Sequence, residues 1–214
     1  METYKFVKLS YTGYLEDGTL FDTTDEQVAK QANIYRPQAQ YGDMTICLGD
    51  GYLLKPLEDA LQDAQVGKHT VSLPDAFGKK QANQVQLIAT QKFVKQGIQV
   101  QPGLQVQVDN EIGVIKHVSG GRTLVDFNHP LASQTIRYEV EIKQIVSDPL
   151  AQATAYVQAN MGKTVSVALS ENKLTITAKQ ALPQEVQDMF TKEIQKRIPS
   201  IKEVAYNVSG ENNG

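Results

Sequence analysis

Few side chains in this 214-residue chain are placed for bond-making chemistry. The one cysteine, Cys47, lies in an apolar strand pattern from Thr45 to Leu48, where a thiol stays protonated and packs; a nucleophilic thiolate needs a basic or polar setting. The three histidines, His69, His117 and His129, lie far apart without ligand spacing, so neither a metal site nor a metal cofactor is expected. Gly49-Asp50-Gly51 is followed by Tyr52, Leu53 and Leu54 with no third glycine, and reads as a turn rather than a phosphate loop. What remains can act only without covalent chemistry. Aromatic residues stand at Tyr11, Phe21, Phe77 and Tyr138, with an acid at Asp22, and each taken singly is an ordinary strand or turn residue.

The elements that would carry these residues follow from hydrophobic period and turn residues. Tyr4 to Leu9 alternates, Glu16-Asp17-Gly18 turns, and Leu20-Phe21 begins the return strand of a hairpin. A polar stretch from Asp25 to Asp43 is loop-like, with a helical turn near Val28 to Ala32. A short strand ends at Leu48. Lys55-Pro56 then opens a helix whose Leu57, Ala60, Leu61 and Ala64 share a face, with Gly67 placed to stop it. Strands follow at His69 to Leu73, Gln105 to Val108, Gly113 to Val118 and Thr123 to Phe127. Ile136, Tyr138, Val140 and Ile142 alternate along a further strand. From Pro149 onward a helix, two strands, a helix striped by Val186, Met189, Phe190 and Ile194, and a last strand at Glu203 to Val208 form an α+β module.

Charge supports a division of the chain. Residues 1–78 carry 6 basic and 12 acidic side chains, whereas residues 79–127 carry 6 and 3, so a basic unit sits inside an acidic surround. The net charge of −3 gives no reason to expect nucleic acid. No apolar run approaches the roughly 18 residues needed to span a bilayer. The first residues have no secretory pattern, and one cysteine forms no internal disulfide, so a cytoplasmic protein is expected.

Taken in order, Tyr11-Thr12-Gly13 with Gly18, Phe21-Asp22, Leu48-Gly49, Asp75-Ala76-Phe77-Gly78 and Tyr138-Glu139-Val140-Glu141 resemble the motifs of FKBP-type peptidyl-prolyl isomerases. The block between Gly78 and Asn128, leaving through Asn128-His129-Pro130-Leu131-Ala132, narrows the resemblance to the SlyD-like group, whose insert-in-flap domain is a chaperone module. The long loop around Tyr35 and Pro37, with the C-terminal module, narrows it to the long archaeal type. The implied fold is α+β: a twisted antiparallel sheet wrapped on a short helix, with a small inserted β domain. Its expected domains are residues 1–78 with 128–148, an insert at 79–127, and a C-terminal domain at 149–214.

The resemblance implies a prolyl pocket of Tyr11, Phe21, Asp22, Met44, Leu53, Leu54, Leu57, Phe77 and Tyr138. Leu57 would form the floor, Phe21 and Tyr138 the walls, Asp22 a partner for the Tyr11 hydroxyl, and the Leu54 N–H a donor to a substrate carbonyl. Phe77 stands where a tyrosine is common, Leu57 where short members have tryptophan, and Pro56 where glycine is usual. For the insert, the resemblance implies binding of unfolded or proline-containing chains through Val85, Leu87, Ile88, Phe93, Val94 and Ile98, although Val85, Leu87 and Ile88 serve equally well as the insert's own core. No histidine-rich tail is present, so no metal storage is implied. An isomerase that doubles as a chaperone is therefore expected. The alternative is a non-catalytic peptide-binding holdase. A homodimer through the C-terminal domain, on the Val186, Met189, Phe190 and Ile194 face or a nearby sheet edge, is also expected.

Overall fold

The computed structural model describes residues 4–209 and is mixed α+β. Its elements are strand β1 (Lys5–Leu15), β2 (Leu20–Thr23), helix α1 (Glu26–Gln31), β3 (Met44–Leu48), α2 (Lys55–Leu61), β4 (Gly67–Leu73), β5 (Val85–Ala89), α3 (Thr90–Val94), β6 (Gln105–Val108), β7 (Glu111–Ser119), β8 (Arg122–Asp126), β9 (Ile136–Val146), α4 (Pro149–Met161), β10 (Ser166–Ser170), β11 (Lys173–Ala178), α5 (Gln184–Arg197) and β12 (Glu203–Val208). Among the described residues, no helix is long and apolar enough to cross a membrane.

Two compact units divide the chain, residues 1–72 with 137–214 and residues 73–136. The boundaries lie outside those expected for the insert. The C-terminal module, expected as a domain of its own, belongs to the first unit.

The first unit is built on β1. Its first half pairs antiparallel with β3, Lys5 facing Leu48 and Leu9 facing Met44, and its second half pairs with β2, Thr12 facing Thr23 and Gly13 facing Asp22. The sheet order is β2-β1-β9-β4, with β3 also on β1. Alternation along β9 buries Ile136, Tyr138, Val140 and Ile142 on one face, as period-two patterning requires. The helix opened by Pro56 ends at Leu61, short of the expected stop; Gly67, at φ 138°, begins β4 instead. The C-terminal sheet runs β10-β11-β12, the last pair parallel with α5 between them. Its core of Ala153, Val157, Leu174, Ile176, Ile194 and Ile201 is continuous with Phe6, Cys47 and Val146 of the body. A module of this size buries too little alone, and here it borrows apolar surface from the strands that precede it.

In the second unit the sheet runs β5-β8-β7-β6 over a core of Phe93, Val106, Ile115 and Val125, with Ile88 and Ile98 packed against it. β5 and α3 lie in a stretch, residues 79–104, for which the sequence pattern predicts no strand or helix. At the unit's base, the Asn128 side chain donates to the Gln81 carbonyl and accepts from the Gln81 N–H at 3.1 and 2.7 Å, like a strand residue in miniature.

Candidate active site

Three of the expected aromatics meet in the first unit. The Tyr138 ring makes edge contacts with Tyr11, centroids 5.6 Å apart at 76°, and with Phe21 at 5.7 Å and 72°. Such T-shaped contacts set a positive ring edge against a negative face. They come from three neighbouring strands, since Tyr11 lies on β1, Phe21 on β2 and Tyr138 on β9. Gly13 makes this approach feasible: a Cβ there would lie 2.9 Å from Tyr138 Cε1 and 3.0 Å from Phe21 Cζ. The residue is glycine for room, not for backbone freedom.

Asp22 interacts with the Tyr11 hydroxyl beside this cluster. Burial pushes the Asp22 carboxyl above its ordinary 3.8, against a downward pull from the Tyr11 hydroxyl, the Thr23 backbone and the Arg36 charge. Burial, and then the Asp22 charge, raise the Tyr11 and Tyr138 phenols well above 10.0. Both phenols therefore remain neutral donors throughout the physiological range. Arg36 belongs to the long loop, where its N–H donates to the Tyr41 hydroxyl at 2.9 Å and Tyr41 stacks on Tyr35 at 5.4 Å. Sequence reading left Arg36 unassigned, because nothing in a loop pattern shows which cation faces the acid.

The remaining expected residues sit on three supports. Met44 opens β3 opposite Leu9. Leu57 is 1% exposed on α2. Leu53 and Leu54 end the loop before that helix, and Leu54 is its N-cap without a capping side chain. The loop is fastened by Glu58, a carboxylate 2% exposed that accepts from the N–H groups of Gly49, Gly51 and Leu53 at 2.8, 3.1 and 2.9 Å. Three amide donors satisfy a buried carboxylate that would otherwise be costly. The Leu54 carbonyl accepts the first helical N–H groups, those of Leu57 and Glu58, while its own N–H meets no protein acceptor among the described residues. That leaves one donor at the helix start open to a ligand.

Phe77 falls in the second unit, stacked on His129 with centroids 4.5 Å apart and planes at 9°. Among the insert residues expected to touch a client, Phe93 is corrected by its burial: at 1% exposure it is the centre of the insert's core. Ile88 and Ile98 pack against that core as well, and Val85 is half-buried on β5. Leu87 and Val94 do face solvent, 55% and 59% exposed, and Ile112, which sequence reading passed over, is 59% exposed. On the C-terminal helix, Ile194 is fully buried and Phe190 packs on the same core, so Met189, 54% exposed, and the half-buried Val186 are what the stripe leaves outside it.

A separate cleft of about 750 Å³ opens beside the sheet's polar face, lined by Ser10, Thr12, Tyr41, Asp43, Glu139 and Lys143 among others. It shares only Tyr11 with the expected pocket. Asp43 bridges Lys143 at 2.6 Å and Lys8 at 3.7 Å there. Cys47 is buried, its thiol pushed up to about 12 chiefly by that burial, which suits a packing role. No cluster among the described residues could hold a metal ion.

Comparison with known proteins matches residues 86–131 to the family described as FKBP26, IF domain. Over 155 residues the chain is 34% identical to the FKBP-type 16 kDa peptidyl-prolyl cis-trans isomerase of Escherichia coli, covering 69% of this chain and 93% of that protein. It is 28% identical over 144 residues to a short-type peptidyl-prolyl cis-trans isomerase of Methanocaldococcus jannaschii, covering 65% and 90%. A SlyD of Aeromonas hydrophila is 31% identical over 146 residues, covering 65% and 61%.

Proposed function

The chain belongs to the FKBP-type peptidyl-prolyl cis-trans isomerases, and from that premise we propose that it accelerates X-Pro isomerisation in unfolded or partly folded polypeptides recruited by its insert. The observation that carries the catalytic part is the Tyr11, Phe21 and Tyr138 cluster closed over Gly13. In this reading Leu57 forms the floor, and Met44, Leu53 and Leu54 complete the wall.

The barrier to X-Pro rotation, roughly 18–20 kcal/mol, is the loss of amide resonance. No nucleophile is needed. An apolar, water-poor pocket that grips the prolyl ring favours the twisted amide, whose carbonyl is less polarised, over the planar one that water solvates well. The Leu54 N–H holds the neighbouring substrate carbonyl, fixing the chain on one side of the rotating bond. Asp22 orients the Tyr11 hydroxyl.

Recruitment is supported by the exposed Leu87, Val94 and Ile112 on the insert. Large apolar side chains held out of a unit's own core are what an unfolded segment can cover. A client held there presents its prolines at raised effective concentration. A second copy of the chain is the proposed partner of the outer strands β10 and β12, and residence in the cytoplasm is part of the same proposal. No observation favours the non-catalytic holdase.

Comparing a proline tetrapeptide with an unfolded protein whose refolding is limited by a proline tests both parts. Wild-type kcat/KM is expected to be about 100-fold or more higher on the protein client, the gain tethering supplies. Serine at Leu87, Val94 and Ile112 together should erase that gain and leave the tetrapeptide rate intact, while Tyr138→Ala should lower both. Equal gains in wild type and triple variant would remove the insert from recruitment.

A further inference from the structure

The loop of residues 49–54 is fastened from more than one side. Glu58 holds the N–H groups of residues 49, 51 and 53 from within the isomerase body. The C-terminal module holds the residues between them. Arg197, ending α5, forks onto Asp50: Nε donates to Oδ2 at 2.7 Å and Oδ1 at 3.0 Å, and Nη2 donates to Oδ1 at 2.7 Å. The two side chains are 12% and 7% exposed. The guanidinium is itself held, donating to the Glu193 carboxylate and lying over the Tyr156 and Tyr4 rings at 4.7 and 5.3 Å. In the last turn of α4, Asn160 Nδ2 donates to the Tyr52 hydroxyl at 3.0 Å and to the Tyr156 carbonyl at 2.8 Å.

We propose that Arg197 and Asn160 are positioning residues of the isomerase, through which the C-terminal module, by way of Asp50 and Tyr52, holds the Leu54 N–H where a substrate carbonyl meets it. The inference rests on the reading of Leu53 and Leu54 as substrate-lining residues. Gly49 and Gly51, at φ 98° and 82°, give the loop a backbone freedom that side chains elsewhere would restrict. A bidentate arginine–carboxylate pair fixes direction as well as distance, which a single hydrogen bond does not. A loop ordered in advance adds nothing to the cost of binding, whereas a released loop must be ordered by the substrate. That cost is common to ground and transition states, so it raises KM and leaves kcat nearly unchanged.

The test uses the full chain, a proline tetrapeptide, and hydrogen exchange at the Gly49, Gly51 and Leu53 amides, whose bonds to Glu58 hold the loop. Asn160→Ala and Arg197→Lys are expected to raise KM by about 2–30-fold at near-constant kcat, with faster exchange at these loop amides. Loss of one buried partner can unfold a protein, so Asp50→Asn with Arg197→Gln removes both charges together; it should melt close to wild type and still show the raised KM. A lowered melting temperature with KM and loop-amide exchange unchanged in all three variants would overturn the proposal. Leu53→Ala separates the two ideas: no effect on KM refutes the site reading itself, whereas a raised KM there, with Asn160→Ala and Arg197→Lys silent, refutes only the coupling to the module.

Discussion

Replacing Gly13 by alanine adds one methyl group where the aromatic walls converge. The added carbon would stand 2.9 Å from Tyr138 Cε1 and 3.0 and 3.1 Å from two atoms of Phe21. Carbon atoms rest at about 3.5–4.0 Å, so the rings must retreat by about 0.5–1 Å. Neither ring retreats freely, because Tyr138 is 4% exposed and both rings touch one another. Overpacking of this kind costs about 1–3 kcal/mol, and displacement of positioning groups by about 1 Å costs up to about 100-fold in rate. Gly13→Ala should therefore lower kcat/KM on a proline peptide by about 10- to 100-fold. It should also lower the melting temperature of the unit that contains it by about 2–12 °C. Peptide kinetics and calorimetry on one preparation read both. A melting temperature that falls while kcat/KM stays within a factor of about two would show that the Tyr138 cluster is core and not the catalytic pocket, since a site that tolerates such displacement is not using those rings. No change in either would refute the steric argument.

Asp22 should give kcat/KM an acid limb with a midpoint above 3.8, flattened in Asp22→Asn, because burial raises its carboxyl. The sign for stability is opposite to that of a salt-bridged acid: the folded state takes up the proton first, so wild type gains on Asp22→Asn as pH falls through that midpoint toward 3.8. Chemical denaturation at a series of pH values checks it, and a constant difference would refute it. Phe93→Ala, which empties the insert's core, should cost that unit about 3–5 kcal/mol and release its amides to exchange, and an unaltered exchange pattern would place its core elsewhere. Sedimentation at tens of micromolar should show a dimer. A monomer there would leave the outer strands of the C-terminal sheet without the proposed partner.

Much of this architecture is legible one element at a time. The β1–β2 hairpin, the proline-opened α2, the alternation that turns Tyr138 inward and the C-terminal order of helix and strand all follow from local period and turn residues. β5 and α3 escape because each is 5 residues long and their glutamines, Gln86 and Gln91, interrupt any apolar period. That brevity also explains Phe93: without a visible helix, an apolar residue among lysines and glutamines reads as a surface contact, whereas it plugs the insert. The site divides in the same manner. Its aromatics were visible through motif order, but the fastening of the loop was not, since Asp50 and Arg197 are 147 residues apart, Tyr52 and Asn160 108 apart, and neither pair leaves a periodic trace.

The neighbouring of β1 and β9 sets a schedule for synthesis. Tyr11 leaves the ribosome before the other two, the strand bearing Tyr138 follows only after the whole second unit has been made, and Arg197 follows later still. At about 5–20 residues per second, the interval from Tyr11 to Tyr138 is of the order of 6–25 s, long against the folding of a small unit. The insert can therefore be complete while the isomerase body still lacks β9, the strand that lies beside β1 and bears Tyr138. The nascent enzyme acquires its candidate client-binding surface before its candidate catalytic one, and the loop at the pocket is fastened last.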